Sequence, residues 1–251
     1  MSDLPTTKRL HRPSAMAGAV SAPRAVMVGG GVYGWGCALR LAELGAVVTV
    51  VDPRSVDDTE RASGGTTRVL RLEYGREAHY SAITLRARAR WREIEAATGA
   101  DLYREVGVLF LVPDGDEGAW ERDSLAATAD LRAGGEVLTP RDIARRWPAI
   151  RPDGVAWGMF NAVGGFLFAN RATATIAGLA RASGASLVRD RVRGADATGV
   201  TLASGTRIDA DVVVLATGAW SAVLVPELPI RATRQLTVSL AGGPEIGRAH
   251  V

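Results

Sequence analysis

Lysine is almost missing from this sequence: of its 30 basic residues only Lys8 is a lysine, and arginine supplies the rest. The folded body therefore offers no lysine amine as a nucleophile. Cysteine is represented by Cys37 alone, which excludes an internal disulfide and fits a reducing cytoplasm. Its place in an apolar helix predicts a small buried residue, not a reactive thiol. The histidines, His11, His79 and His250, are too scattered to suggest a metal site. No run of about 18 apolar residues exists, so no membrane span is expected. The 30 basic residues face 27 acidic ones, and no dense basic run is interleaved with aromatics, which argues against a nucleic-acid partner. Residues 1–23 are polar, broken by Pro5, Pro13 and Pro23, and have neither a signal-peptide apolar region nor a twin-arginine pair. A disordered tail is expected there.

What is present starts at Arg24. Ala25 to Val28 is an apolar run of strand type, and the small and apolar residues from Val32 to Leu44 read as a buried helix. Between them Gly29, Gly31 and Gly34 carry the G-x-G-x-x-G spacing, with Val32 and Tyr33 opening the helix. Gly29 permits a tight turn, Gly31 lets the backbone approach a pyrophosphate, and Gly34 lets the helix pack closely on the strand. The helix N-terminus then faces the anion. A second apolar strand, Ala46 to Val51, ends at Asp52, about 20 residues beyond the glycines, where a carboxylate accepts hydrogen bonds from an adenosine ribose. Together these features ask for a dinucleotide.

Further along, Ser63, Thr66 and Thr67 lie in a Ser/Gly/Thr loop whose amides and hydroxyls suit a cofactor. Arg68 and Arg71 stand three apart, a spacing that would share one helical face and gather anions. Helices are expected over 80–98, closed by Gly99, over 120–132, and after Thr139 as N-cap with Pro140 at the first position. Strands are expected over 106–112, 155–160 and 165–168. A long helix over 170–183 precedes short strands at 186–189 and 200–202. The apolar strand from Asp211 then delivers Thr217, Gly218 and Trp220 to its carboxyl end, where open parallel sheets bind ligands. The alternation predicts an α/β, Rossmann-like nucleotide domain split in sequence, with a mixed antiparallel α+β domain inserted. The parts are residues 24–100 and 170–230 for the nucleotide domain, 101–169 for the insert, and 231–251 for the start of its continuation.

These residues resemble the FAD-dependent amino acid oxidases, and within them the sarcosine oxidase-like branch. The selective part is Ser63-x-Gly65-x-Thr67-Arg68-x-x-Arg71-x-x-Tyr74-Gly75, with Tyr80 and Trp91 beyond it. Arg145-Arg146-Trp147-Pro148, Gly164 to Phe168, Ala216 to Trp220, Pro229 and Arg234-Gln235 continue the likeness. The resemblance implies FAD as cofactor, its pyrophosphate on the Gly29 to Gly34 turn, its adenosine ribose at Asp52 and its adenine side lined by Val192. It implies Thr67 and Arg68 against the flavin ring, and Arg71 pairing with the carboxylate of a small amine or amino acid substrate. The implied reaction oxidises a C–N bond, and the chain would be truncated and its inserted domain incomplete. Two other readings stand beside it: a non-catalytic FAD-binding fragment or part of a split enzyme, and an NAD-linked dehydrogenase, which Asp52 allows but the Ser63 to Arg71 signature and the Ala216-Thr217-Gly218 strand end count against.

Overall fold

The structure is a computed structural model that describes residues 21–233 except Ser55, Asp57, Thr59 and Glu60. The expected 1–23 tail falls almost wholly outside the described residues, as do Arg234-Gln235 and nearly all of 231–251. The chain opens with β1 (Arg24–Val28), α1 (Val32–Glu43) and β2 (Val47–Val51), the strand, helix and strand read from the apolar runs. Then come β3 (Arg68–Leu70), α2 (Ala78–Thr98), β4 (Tyr103–Arg104), β5 (Val108–Pro113) and α3 (Ala119–Asp130). They are followed by β6 (Glu136–Leu138), α4 (Pro140–Arg146), β7 (Val155–Asn161) and β8 (Gly165–Leu167). The last third holds α5 (Ala169–Ala182), β9 (Ser186–Val188), β10 (Val192–Asp196), β11 (Gly199–Leu202), β12 (Arg207–Asp209) and β13 (Val212–Leu215). A 3-10 turn, Gly218–Trp220, leads into α6 (Ser221–Leu224).

One sheet is parallel throughout, in the order β13, β1, β2, β9. Its two central strands come from the start of the chain and its two outer ones from the end. Both faces are covered, which is why β1 and β2 are apolar runs without alternation. On one face Ala25, Met27, Val48 and Val50 pack against Trp35, Ala38 and Leu39 of α1 and against Ile176, Ala177 and Ala180 of α5. Cys37 is a free thiol at the edge of this cluster. On the other face Val26, Val28 and Val51 meet Val192, Val200 and Leu202. Each such side chain, fully buried, stabilises the fold by ~1.5–3 kcal/mol.

Three small antiparallel sheets complete the described residues: β10-β11-β12, β3-β8-β4 and β5-β7-β6. The α4 start is as expected, with Thr139 and Asp142 forming a reciprocal capping box. Four strands, β4, β6, β10 and β12, escape sequence reading because they are two to five residues long and rich in charge. The helical reading of Arg68 and Arg71 is corrected. Arg68 opens a strand, with Val69 paired to Phe166 of β8, so a spacing of three does not place the two guanidiniums on one face.

Candidate active site

The site is built first from the β1–α1 turn. Gly29 has φ of 105°, in the region that disfavours side chains, and a Cβ there would stand 2.5 Å from the Ala216 carbonyl oxygen. Gly34 has no room for a Cβ at all, because it would fall on the Gly29 carbonyl oxygen. Close approach of α1 to its own turn, and of the turn to the end of β13, follows from these two positions. Gly31 is the extended N-cap of α1 and offers no side-chain cap. The Val32 amide instead donates to Ser63 Oγ at 3.3 Å, while the Tyr33 side chain is 80% exposed. With no side-chain cap from Gly31, the first turn of α1 leaves helix-start N–H groups uncapped, the arrangement that suits an anion.

Asp52 follows β2 and is buried. Its Oδ2 accepts from the Gly30 amide at 2.6 Å and its Oδ1 from the Arg54 amide at 2.7 Å. Arg61, a residue that motif reasoning missed, lies against the same carboxylate, with its guanidinium 3.3 Å from Oδ1. It also donates to the Gly30 and Arg54 carbonyls, binding the glycine turn to the segment after β2. A carboxylate has about four acceptor positions, and three are taken among the described residues.

The Ser63 to Arg68 loop is fastened to the start of α5. Asn170 Oδ1 accepts from the Gly65 amide at 2.9 Å, the Asn170 amide donates to the Gly65 carbonyl at 3.2 Å, and the Ala169 amide donates to the Thr66 carbonyl at 3.1 Å. Asn170 carried no motif signal, only its position at a helix start. Arg68 folds back onto the carbonyls of Thr67 and Ala62, at 2.9 and 3.1 Å. Beyond β13, Thr217 Oγ1 lies 2.9 Å from Ser221 Oγ, and Gly218 begins the 3-10 turn. The Arg54 guanidinium stacks over the Trp220 ring at 4.5 Å, joining the ends of β2 and β13 across the glycine turn. Val192 is buried on the opposite sheet face from α1.

Arg71 stands apart from this group. Its guanidinium lies over the rings of Tyr74, Trp120 and Phe110, at 5.0, 5.2 and 5.8 Å. No carboxylate pairs with it among the described residues. Two positions on, Glu73 is fully buried, with Oε2 accepting from the Leu72 amide at 3.0 Å and Oε1 without a partner. Burial raises its pKa above the usual carboxyl value, against hydrogen bonds from the backbone and Asn161 and the charge of Arg71, which lower it. A raised folded-state pKa gives stability that is complete below the unfolded value and lost as pH rises through the folded one. Glu73→Gln is expected to remove that loss. Its melting temperature should gain on the parent as pH climbs from about 4.3, and a constant difference across pH would contradict the assignment.

A doubly covered parallel sheet, a glycine turn closed against the neighbouring strand end, and an acid at the end of β2 define a Rossmann-like dinucleotide-binding protein. The family is more specific. Residues 24–250 match the sequence profile of the DAO family, described as FAD dependent oxidoreductase, and the chain belongs to that family. It is 28% identical to the monomeric sarcosine oxidase of Bacillus sp. over 220 residues, covering 84% of this chain and 56% of that protein. It is also 28% identical to the N-methyl-L-tryptophan oxidase of Salmonella arizonae over 216 residues, with 84% and 57% covered. Among solved structures, L-proline dehydrogenase from P. horikoshii superposes with a TM-score of 0.72 at 25% identity, over 82% of this chain and 55% of that one. The chain thus spans about half the length of the curated relatives it matches.

Proposed function

We propose that this chain carries the FAD site and the carboxylate-binding arginine of an oxidoreductase acting on the C–N bond of an amino acid or N-methylated amine. The observation that carries the reading is Arg71: a guanidinium walled by three aromatic rings, with no anionic partner among the described residues. A planar fork in such a setting binds a carboxylate through two parallel hydrogen bonds. The glycine turn fits the cofactor, since the space a Cβ would need at Gly29 and Gly34 is already taken by backbone. In this reading the amides of Gly31, Tyr33 and Gly34 face the pyrophosphate, Val32 opens α1 beside it with its own amide held by Ser63, Asp52 takes a ribose hydroxyl and Val192 lines the adenine side. Ser63, Thr66, Thr67, Thr217, Gly218 and Trp220 border the cofactor.

When bound, FAD supplies the two-electron acceptor for the carbon beside the amine nitrogen. The chain's own residues position and shield. Arg71 fixes the substrate by its carboxylate, and the rings of Tyr74, Phe110 and Trp120 keep water from that ion pair, where a lower dielectric strengthens it. Arg68, tied to two carbonyls, holds the loop that carries Thr67 and adds positive charge beside the place assigned to the flavin ring. Residues 24–100 and 170–230 are assigned to the cofactor part, 101–169 and 231–251 to the substrate part, and the single cysteine accords with a cytoplasmic setting. Among the described residues no helix is long and apolar enough to cross a membrane.

Two relatives bear names that point to N-methyl amino acids as substrates. Flavin-loaded protein mixed anaerobically with sarcosine or N-methyl-L-tryptophan is expected to lose its yellow absorbance, while dimethylamine, which lacks a carboxylate, leaves it unchanged. Equal bleaching by the amine without a carboxylate would contradict the role given to Arg71.

A further inference from the structure

Beside Arg71 lies a buried carboxyl group, Glu73, that neither cofactor nor substrate contact accounts for. Its side chain has no exposure. The carboxyl folds back on its own chain: Oε2 accepts at 3.0 Å from the Leu72 amide, the N–H of the peptide that joins Arg71 to Leu72. Glu73 is thus one peptide away from the arginine assigned to the substrate. Among the described residues the two nevertheless form no ion pair, and the Arg71 guanidinium turns to the rings of Tyr74, Phe110 and Trp120.

The surroundings of Glu73 are polar but carry little charge. Ser81 of α2 donates to the Leu72 carbonyl at 2.6 Å, and Ser124 of α3 accepts from the Gly75 amide at 2.7 Å. Asn161 of β7 is engaged by the Ala133 carbonyl and the Val163 amide, at 2.9 and 3.0 Å, and the Tyr103 hydroxyl of β4 donates to the Val163 carbonyl at 2.8 Å. The ionisable groups nearest in sequence on α2 and α3 pair with one another toward solvent, Arg76 with Asp123 at 2.7 Å and His79 with Glu77 at 3.2 Å. Arg71 is the charge that bears on Glu73. Glu73 Oε1 is left without a donor. An ionised carboxylate there would lack both a donor at one oxygen and a counter-charge in contact, so burial favours the neutral acid.

We propose, on the reading of Arg71 as the carboxylate site, that Glu73 is its positioning residue: as a neutral acid it fixes the peptide after Arg71 without taking up the charge of the guanidinium. Oε2 does the holding, and the positive charge stays available to the substrate. An ionised Glu73 would put two anions at one cation, and each would weaken the other by the same factor. Carboxylate affinity is therefore full while Glu73 is neutral. It falls as pH rises through the folded-state pKa, which burial sets above the usual carboxyl value.

The test is calorimetric titration of the full chain, in the presence of FAD, with methoxyacetate, a carboxylate that has no amine to titrate, in steps from about pH 5.5 to about pH 9. In the parent the dissociation constant should rise at least about tenfold across this range, the equivalent of one pKa unit of coupling. Glu73→Gln keeps an acceptor for the Leu72 amide and cannot ionise, so its affinity should equal the parent's low-pH value and stay flat. Glu73→Leu removes the acceptor, and its affinity should be at least about tenfold lower at every pH, with an unchanged circular dichroism spectrum. Should that variant not fold, the comparison of parent with Glu73→Gln decides alone. A flat parent profile, a pH dependence that persists in Glu73→Gln, or a folded Glu73→Leu that binds as tightly as Glu73→Gln overturns the inference and leaves the role of Arg71 standing. No binding to the parent at any pH overturns both.

Discussion

Gly34→Ala is expected to cut FAD affinity about 100-fold or more, equivalent to ~2.7 kcal/mol. A methyl group at this position falls on the Gly29 carbonyl oxygen, which belongs to the backbone and has no flexible end to swing aside. Either α1 lifts away from the turn or the turn opens. Both movements displace the amides that start α1, and overpacking of this kind costs about 1–3 kcal/mol in stability as well. Gly36→Ala is the control, two residues further along the same helix, where an added Cβ meets nothing within 4 Å. Alanine there favours the helix by ~1 kcal/mol, so flavin retention should hold and the melting temperature rise slightly. Flavin absorbance per protein after gel filtration reads both variants. Equal loss in the two would show that the glycine turn does not have the role assigned to it.

The second large effect is at Arg71. Arg71→Ala is expected to lower kcat/KM for an N-methyl amino acid by about 100-fold or more, since charge-assisted hydrogen bonds contribute ~1.5–3 kcal/mol each and two are lost. Most of the loss should appear in KM, because the carboxylate is bound equally before and during reaction. Arg71→Lys should recover only part of it: an ammonium keeps the charge but lacks the two-pronged geometry and the flat face that stacks on Tyr74 and Trp120. Flavin retained per protein after gel filtration gives the control, as it should not respond to the change. A matching loss of flavin would place Arg71 in folding instead.

What the sequence disclosed follows from where short-range physics suffices. The strand, glycine turn, helix and second strand from Arg24 to Asp52 are legible because burial on both faces makes β1 and β2 apolar runs and close packing demands glycine. That β13 joins the nucleotide domain could be expected from the apolar run delivering Thr217, since that run needs a covered parallel sheet, whereas its pairing with β1 comes from the structure. Arg68 and Arg71 were read for residue type but not for geometry. Their spacing suits a helix, and only the pairing of Val69 with Phe166, nearly 100 residues away, makes the segment a strand. Arg61, Asn170 and Glu73 were not legible at all. Each acts through one backbone group or one distant side chain, and no periodicity marks such contacts. The short strands β10 and β12 failed for a related reason: Arg207 and Asp209 flank a single isoleucine, and their ladder to β11 is supplied by backbone hydrogen bonds that composition does not encode.

The central claim is that these residues, from the glycine turn to the end of β13, build a site for FAD. Its most direct test is the absorption spectrum of the purified 251-residue chain, incubated with FAD and passed through gel filtration. Flavin bands that travel with the protein, and that Gly34→Ala removes while Gly36→Ala keeps, are the predicted result. Flavin found only in the low-mass fractions, from protein whose circular dichroism shows an intact α/β fold, would contradict it.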